Sequence, residues 1–154
     1  MTTIVCDREV GYMAADRLQT GNDCGERIEC RKIETVELAD GFHLVGCSGH
    51  EGPAQWFLEW YRDSDEDHDP LDLAEDEEFT AVILTPKCEI IVCDRWMAPY
   101  RVLSRYYAIG SGGSFALGVL TAGCGVEKAM QTAIELDPNS GFGYDVVYIA
   151  DANP

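Results

Sequence analysis

The sequence is strongly acidic, and its charge and composition exclude several classes of protein. Its 154 residues carry a formal net charge of −17, whereas nucleic-acid binding requires clustered lysine and arginine, so no nucleic-acid partner is expected. No apolar run approaches the ~20 residues of a membrane helix, and charged residues at 7–9 interrupt the start before the apolar core of a signal peptide could form. With 46% hydrophobic residues, the composition predicts one globular domain over residues 2–154, without membrane association and located in the cytoplasm.

The seven cysteines are best explained as a reduced set of small, mostly buried side chains. The spacings Cys24-x5-Cys30 and Cys88-x4-Cys93 lack the short ligand pairs that are typical of zinc sites, and the three histidines are not at ligand spacing. The sequence therefore predicts no metal site and no cofactor.

Strand patterns dominate the start of the chain and return later. Residues 2–7 and 11–17 are almost continuously apolar, as expected of strands that are covered on both faces. Residues 19–25 are predicted to form a polar loop. Residues 27–38 alternate, and Asp40-Gly41 is a strong hairpin turn before a return strand. The predicted strands are 2–7, 11–17, 27–38, 42–47, 79–84, 88–94 and 145–150.

Three segments have the spacing of helices. The first follows Pro53, which suits a first helical turn, and the other two are predicted at 112–122 and 126–136. The apolar face of the first helix comprises Ala54, Phe57, Leu58 and Tyr61.

An acidic run separates the first helix from the next strand. Ten of the sixteen residues at 63–78 are Asp or Glu, which indicates a solvated linker rather than a cation site or docking tail. This run leaves room for only a short helix around 71–76. The whole order of elements suits an α+β fold in which two antiparallel sheets pack face to face between helical layers.

The start of the chain carries a candidate nucleophile. A small second residue such as Thr2 permits removal of Met1, which would place a hydroxyl and a free α-amine on one residue. A threonine hydroxyl that is activated by an N-terminal amine is a known route to covalent catalysis, and an α-amine with a reference pKa near ~7.7–8.0 is partly neutral near pH 7. Alternatively, this segment is only the edge of a strand.

Five further motifs occur in a consistent order along the chain. They are Asp16 in Met13-Ala14-Ala15-Asp16-Arg17, Lys32 in Arg31-Lys32-Ile33, Gly-Cys-Ser-Gly at 46–49, Ile-Gly-Ser-Gly-Gly at 109–113 and Asp-Pro-Asn-Ser-Gly at 137–141. With the Thr-Thr-Ile-Val start, they resemble the threonine-protease branch of the N-terminal-nucleophile hydrolases, which contains the proteasome β subunits and the bacterial heat-shock-locus protease subunit. The resemblance extends from Thr2 to about Ala150 and implies a four-layer αββα sandwich and a peptidase. The family has a second long helix where this chain has the acidic run, so one helical layer is expected to be shortened.

The resemblance implies roles for seven residues. Thr2 would supply the nucleophile and its own base, Lys32 would lower the pKa of both groups, and Asp16 would hold Lys32 in position. The loop after Val45 would place the Gly46 N–H at the oxyanion. The residues that would orient the terminal amine and a water are Ser111, Asp137 and Ser140. Ordinary structural roles are the alternatives: a solvent-facing strand lysine, a strand-end carboxylate, a helix cap, a helix stop and two turns.

The same resemblance suggests a substrate and partners. Members of the family cleave polypeptides inside ring-shaped homo-oligomers that an ATP-driven unfoldase feeds, so a homo-oligomeric ring and an unfoldase partner are expected here. Two alternatives are a catalytically silent scaffold, favoured by the shortened layer, and a hydrolase of small amides with the same nucleophile. The expected cleft residues, which lean weakly toward uncharged substrate side chains, are Gln19, Cys30, Leu44 and Ser48.

Overall fold

Two antiparallel sheets form the centre of the protein, as shown by a computed structural model that describes residues 1–21, 25–63 and 73–152. The first sheet has the strand order β10-β1-β2-β11 and the second has the order β5-β6-β7-β8-β9. The strands of the first sheet are β1 (Ile4–Asp7), β2 (Tyr12–Asp16), β10 (Tyr106–Ile109) and β11 (Tyr144–Tyr148). Those of the second are β5 (Ile33–Leu38), β6 (Gly41–Gly49), β7 (Phe79–Leu84), β8 (Ile90–Asp94) and β9 (Tyr100–Val102).

The β1–β2 hairpin is the middle of the first sheet. Every residue of both strands is buried, as their continuous apolar sequence predicts. Ile4 pairs with Ala15 of β2 and with Ile109 of β10. The open end of this hairpin therefore brings the start of the chain next to the end of β2.

A two-stranded ribbon corrects the predicted loop and the predicted long strand. Residues 27–38 are not one strand but two, and β4 (Arg27–Glu29) pairs with β3 (Leu18–Thr20) rather than with the second sheet. The Cys30 N–H extends this pairing by donating to the Arg17 carbonyl at 2.8 Å, before β5 pairs with β6 of the second sheet. Part of the predicted loop, residues 22–24, lies outside the described residues.

Helices cover the outer face of each of the two sheets. α2 (Gly113–Thr121) and α3 (Val126–Leu136) pack on the first sheet, and α1 (Glu51–Arg62) packs on the second through buried Phe57. A third apolar cluster fills the space between the sheets. The predicted four-layer αββα sandwich is confirmed, and in the described part of the chain α1 is the one helix of its layer.

Smaller differences from the predicted elements lie near the ends of strands. Residues 73–78 contain a turn and no helix, while 71–72 and the rest of 64–72 lie outside the described residues. The aromatic segment after β8 forms β9 and β10, which the sequence does not predict. The last strand ends at Tyr148, and Ile149–Asp151 is a 3-10 turn. Within the described ranges, no helix is long and apolar enough to cross a membrane.

Candidate active site

The chain begins beside a fully buried carboxylate at the end of β2. Asp16 lies there because its N–H donates to the Thr3 carbonyl at 3.1 Å, at the open end of the hairpin. Asp16 Oδ1 accepts hydrogen bonds from the Thr2 hydroxyl and the Thr3 N–H, both at 2.8 Å. Its Oδ2 accepts from the N–H groups of Leu18 and Gly141, both at 3.0 Å. Asp16 therefore holds the Thr2 hydroxyl in a fixed position.

Lys32 completes this cluster from the segment between β4 and β5. Its ammonium lies 2.7 Å from Asp16 Oδ1, and its side chain is only 10% exposed. It also donates to the Met1 carbonyl at 3.5 Å. Burial lowers the pKa of Lys32, and the hydrogen bond to Asp16 opposes this shift without cancelling it. Thr2 thus lies beside a cation that gives up a proton more readily than a surface lysine.

A second buried carboxylate, Asp137, follows the last residue of α3. Its Oδ2 accepts hydrogen bonds from the hydroxyls of Ser111 (2.7 Å) and Ser140 (2.6 Å), and its Oδ1 accepts from the Asn139 N–H (3.1 Å). Burial alone would raise the pKa of Asp137, but the hydrogen bonds from Ser140 and Ser111 outweigh burial and lower it. The turn after α3, closed by the Ser140 N–H on the Asp137 carbonyl at 3.1 Å, brings these groups together.

The second cluster contacts the start of the chain through Thr3. Thr3 Oγ1 lies 2.7 Å from Ser140 Oγ, and both residues are buried. The resemblance assigns the Ser140 cluster to the terminal amine, and that role stays a prediction. Sequence reasoning missed Thr3. A signal for it exists, since consecutive side chains of an extended strand point in opposite directions, so two adjacent threonines can contact two different clusters.

Gly46 does not lie where the sequence predicts. It is not in a loop after Val45 but inside β6, paired with Ile33 of β5 and Val82 of β7. A Cβ atom at this position would come within 2.9 Å of Ile4 of the facing sheet. A side chain here would therefore push Ile4 aside, and the Gly46 backbone is part of the ladder rather than free to bind an oxyanion.

The free backbone groups of β6 lie further along the strand. β5 stops pairing at Gly46, whereas β7 accompanies β6 to Gly49. The His50 N–H donates to the Glu78 carbonyl at 2.9 Å, on the β7 side. Since N–H directions alternate along an antiparallel strand, the Gly49 N–H is directed to the side that β5 leaves open, where Lys32 lies. Gly49 has a φ of 108°, and a Cβ there would overlap the Glu78 backbone, so this position requires glycine.

The structure also corrects one predicted substrate contact. Leu44 is fully buried in the cluster between the two sheets and cannot touch a substrate. It lies on the same face of β6 as Gly46, and the sequence alone did not determine which face of this strand points inward. Ser48 shares that face but is only half-buried, beyond the point where β5 ends, and stays a candidate.

Gln19 and Cys30 lie at the rim of the site, with a carboxylate that the sequence did not single out. The Gln19 amide donates to Glu51 at 3.0 Å, which connects β3 to the first turn of α1. Burial raises the pKa of Cys30, the charge of Lys32 lowers it, and the charges of Asp16 and Glu51 raise it further. Glu51 adds a negative charge to a rim at which the predicted residues, Gln19 and Cys30, are uncharged side chains.

The fold that carries this site is the one shared by proteasome-type threonine peptidases of the N-terminal-nucleophile hydrolases. Eukaryotic HslV from Trypanosoma brucei is 21% identical with a TM-score of 0.69, covering 95% of this chain and 98% of that chain. BPH from Thiobacillus denitrificans, solved in complex with epoxomicin, is 19% identical with a TM-score of 0.68, covering 96% and 99%. Anbu from Pseudomonas aeruginosa, solved as a helical assembly, is 10% identical with a TM-score of 0.71, covering 96% and 80%.

No protein-family model matches the chain, and no curated protein matches its sequence. At the identities of the solved structures, the similarity establishes the fold. The predicted resemblance is confirmed at that level.

Proposed function

We propose that the protein is a threonine-type endopeptidase in which Thr2, once Met1 is removed, is the nucleophile. The observation that carries the proposal is the buried contact of the Thr2 hydroxyl with Asp16 (2.8 Å), which also binds Lys32 (2.7 Å). While Met1 is attached, the Thr2 nitrogen is an amide without a basic lone pair. Its removal creates an amine on the residue whose hydroxyl is already positioned.

The reaction needs only groups that this site contains and one water. Thr2 Oγ1 forms a bond with the scissile carbonyl carbon while the α-amine takes the hydroxyl proton, directly or through water. Lys32 stabilises negative charge that develops on Oγ1. The tetrahedral intermediate then breaks its C–N bond, and the leaving amine receives the proton from the α-ammonium. Water hydrolyses the remaining ester by the same proton path and releases Thr2.

The oxyanion donor in this proposal is the Gly49 N–H rather than that of Gly46. The register directs the N–H groups of Cys47 and Gly49 to the open side of β6. One well-placed donor of this kind contributes about 3 kcal/mol to lowering the barrier. Gly49→Ala would strain the backbone at a φ of 108° and remove this donor from its position.

An extended polypeptide is the substrate that this edge would bind. Among the described residues, β6 beyond Gly46 is paired on one side only, and β3 is paired only with β4. The Gln19–Glu51 contact holds these two edges near each other. A peptide strand can add to a free edge through its main chain, with side chains directed into the neighbouring spaces. Small amides would use none of these main-chain contacts.

Self-assembly into a homo-oligomer, with a ring as the proposed form, would keep such a site away from other proteins. Trp96 is 77% exposed and Leu103 is 80% exposed, and burial of such side chains favours association. The Anbu structure is described as a helical assembly. An ATP-dependent unfoldase that feeds the oligomer belongs to this proposal as a partner.

A catalytically silent scaffold is the second candidate. The observation that favours it is the single helix α1 over the second sheet in the described residues. In that case the buried network of Asp16 and Lys32 would only stabilise the fold.

The experiment that separates these functions combines mass measurement with covalent labelling. Intact mass and N-terminal sequencing establish whether Thr2 is the first residue of the purified protein. An epoxyketone or vinyl-sulfone peptide should then add once, on the N-terminal peptide, and a Thr2→Ala variant should stay unlabelled. A processed, assembled protein that is not labelled would favour the scaffold, and labelling with turnover of short acyl-amides alone would indicate an amide hydrolase.

A further inference from the structure

Thr3 is bonded to both buried carboxylate clusters of the candidate site. Its N–H donates to Asp16 Oδ1 at 2.8 Å, and its carbonyl accepts from the Asp16 N–H at 3.1 Å. Its hydroxyl lies 2.7 Å from Ser140 Oγ. The side chain is completely buried, so water cannot replace any of these partners.

The direction of the Thr3–Ser140 hydrogen bond follows from the donors available. The Ser140 hydroxyl donates its single proton to Asp137 Oδ2 at 2.6 Å. It must therefore accept from Thr3, since a hydroxyl has one proton and two lone pairs. Thr3, Ser140 and Asp137 form a chain of hydrogen bonds that all point toward a buried carboxylate, and such chains strengthen one another.

The space around the Thr3 hydroxyl is closed on its remaining side. A Cβ atom at Gly112 would overlap Thr3 Oγ1 and would lie 3.1 Å from both Asp137 Oδ2 and Ser140 Oγ. The segment before α2 thus presses its backbone against this hydroxyl. The Thr3 hydroxyl is therefore confined to one position, in which it is hydrogen-bonded to Ser140.

An N-terminal residue is connected to the protein by one peptide bond only. After removal of Met1, Thr2 is held by its hydroxyl on Asp16, by its bond to Thr3 and by packing of its carbonyl against Gly110. The angle at which the Thr2 amine and hydroxyl face the cleft therefore depends on how firmly Thr3 is fixed. Misplacement of a reacting group by about 1 Å can reduce a rate ~100-fold.

We propose that Thr3 is a positioning residue, and that its hydroxyl, by donating to Ser140, sets the orientation of the nucleophile Thr2. The inference rests on the proposed function and goes beyond it. In this proposal the Asp137 cluster affects the reaction through Thr3, in addition to any contact with the α-amine of Thr2. Thr3 itself touches no substrate.

The test compares Thr3→Val, which keeps the shape and removes the hydroxyl, with Thr3→Ser, which keeps the hydroxyl. Thr3→Val should reduce kcat and the labelling rate at Thr2 at least about tenfold, with KM within about twofold. Thr3→Ser should recover most of the loss, which a purely space-filling role of the threonine methyl group would not allow. Thr85→Val is the matched control, because Thr85 is also buried and its hydroxyl accepts the Glu89 N–H (3.1 Å) in a remote turn. Its kcat should equal that of the parent.

A second variant keeps the test informative if Thr3→Val does not fold. Ser140→Ala removes the acceptor and leaves Thr3 in place, so it should also reduce kcat, and removing the Thr3 hydroxyl by Thr3→Ala in this background should reduce kcat no further. If the parent protein is labelled but a folded Thr3→Val or Ser140→Ala variant turns over substrate at the parental rate, the role of Thr3 is overturned and the proposed function stands. A processed parent that is not labelled at Thr2 would overturn the proposed function, and this inference with it.

Discussion

Two buried carboxylates lie at opposite ends of the β1–β2 hairpin, and each is bonded to one cation. Asp7, at the closed end, accepts the N–H groups of the turn and a bidentate contact from Arg105, with Nη2 at 2.9 Å. Asp16, at the open end, binds Lys32 at 2.7 Å and the Thr2 hydroxyl. The cations differ in their response: the hydrogen bond with Asp7 raises the pKa of Arg105, whereas burial lowers the pKa of Lys32.

The difference shows what separates a structural ion pair from a chemical one in the same strand pair. The Arg105 side chain is about two-fifths exposed and its guanidinium keeps its charge, so it can fix a turn but cannot exchange a proton. Lys32 is a mostly buried point charge beside the Thr2 hydroxyl, and that hydroxyl takes no part in the hydrogen bonds of a helix or strand. Substitutions at the two ends should therefore separate activity from stability.

The largest effect is expected at the open end, from Thr2→Ala. This variant removes the hydroxyl that shares a residue with the free amine, so peptidase turnover should fall to background. The melting temperature should change little, because Asp16 keeps its other four hydrogen-bond donors. Peptide cleavage and thermal unfolding measured on the same sample check both statements. Cleavage at close to the parental rate would rule out Thr2 as the nucleophile.

The next-largest effect is expected from substitutions of the two cations, Lys32 and Arg105. Lys32→Ala should lower kcat at least ~10²-fold, and Lys32→Arg should not restore it, because a planar guanidinium cannot occupy the place of an ammonium beside Asp16. The matched exchange at the closed end, Arg105→Lys, should leave kcat unchanged. A fully active Lys32→Arg variant would show that the open end requires only positive charge.

A smaller effect, on stability alone, is expected from Asp7→Asn. The substitution weakens the contacts with Arg105 and with the turn N–H of Glu9, and hydrogen bonds to charged groups are stronger than neutral ones. We expect the melting temperature to fall by roughly 2–4 °C for each kcal/mol of stability lost, with an unchanged kcat per folded molecule. Calorimetry and active-site titration provide the two values. Loss of turnover without loss of stability would mean that both ends of the hairpin act in the chemistry.

The elements that local pattern determines were predicted well from the sequence. The apolar runs of β1 and β2, the turn at Asp40-Gly41 and the helix over Val126–Leu136 agree with the structure within a few residues. These features depend on side-chain periodicity or on turn chemistry, both of which are readable in a single chain. The pairing of Lys32 with Asp16 also agrees with the structure, but it was implied by the family resemblance rather than by periodicity.

The features that were missed depend on which strands pair and where pairing stops. Whether Gly46 lies in a loop or in a ladder is decided by the point at which β5 leaves β6. The face on which Leu44 lies follows from the same register, since a shift by one residue would turn it outward. The bond between Thr3 and Ser140 joins residues 137 positions apart in the sequence, and no local pattern encodes it.

The smallest effect concerns assembly and again contrasts the two ends. Arg8 donates to the Leu103 carbonyl at 3.1 Å, so the strongly exposed Leu103 lies at the closed end, away from Thr2. We expect copies of the chain to associate through contacts that bury Leu103 at this end. Identical chains of charge −17 repel one another, and salt screens that repulsion, so association should tighten several-fold between low and moderate ionic strength. Light scattering at micromolar concentration measures it, with Leu103→Ser expected to weaken association at every salt concentration. A species of 17.0 kDa that persists in low and high salt would show that the closed end stays exposed and that the site is not protected by self-assembly.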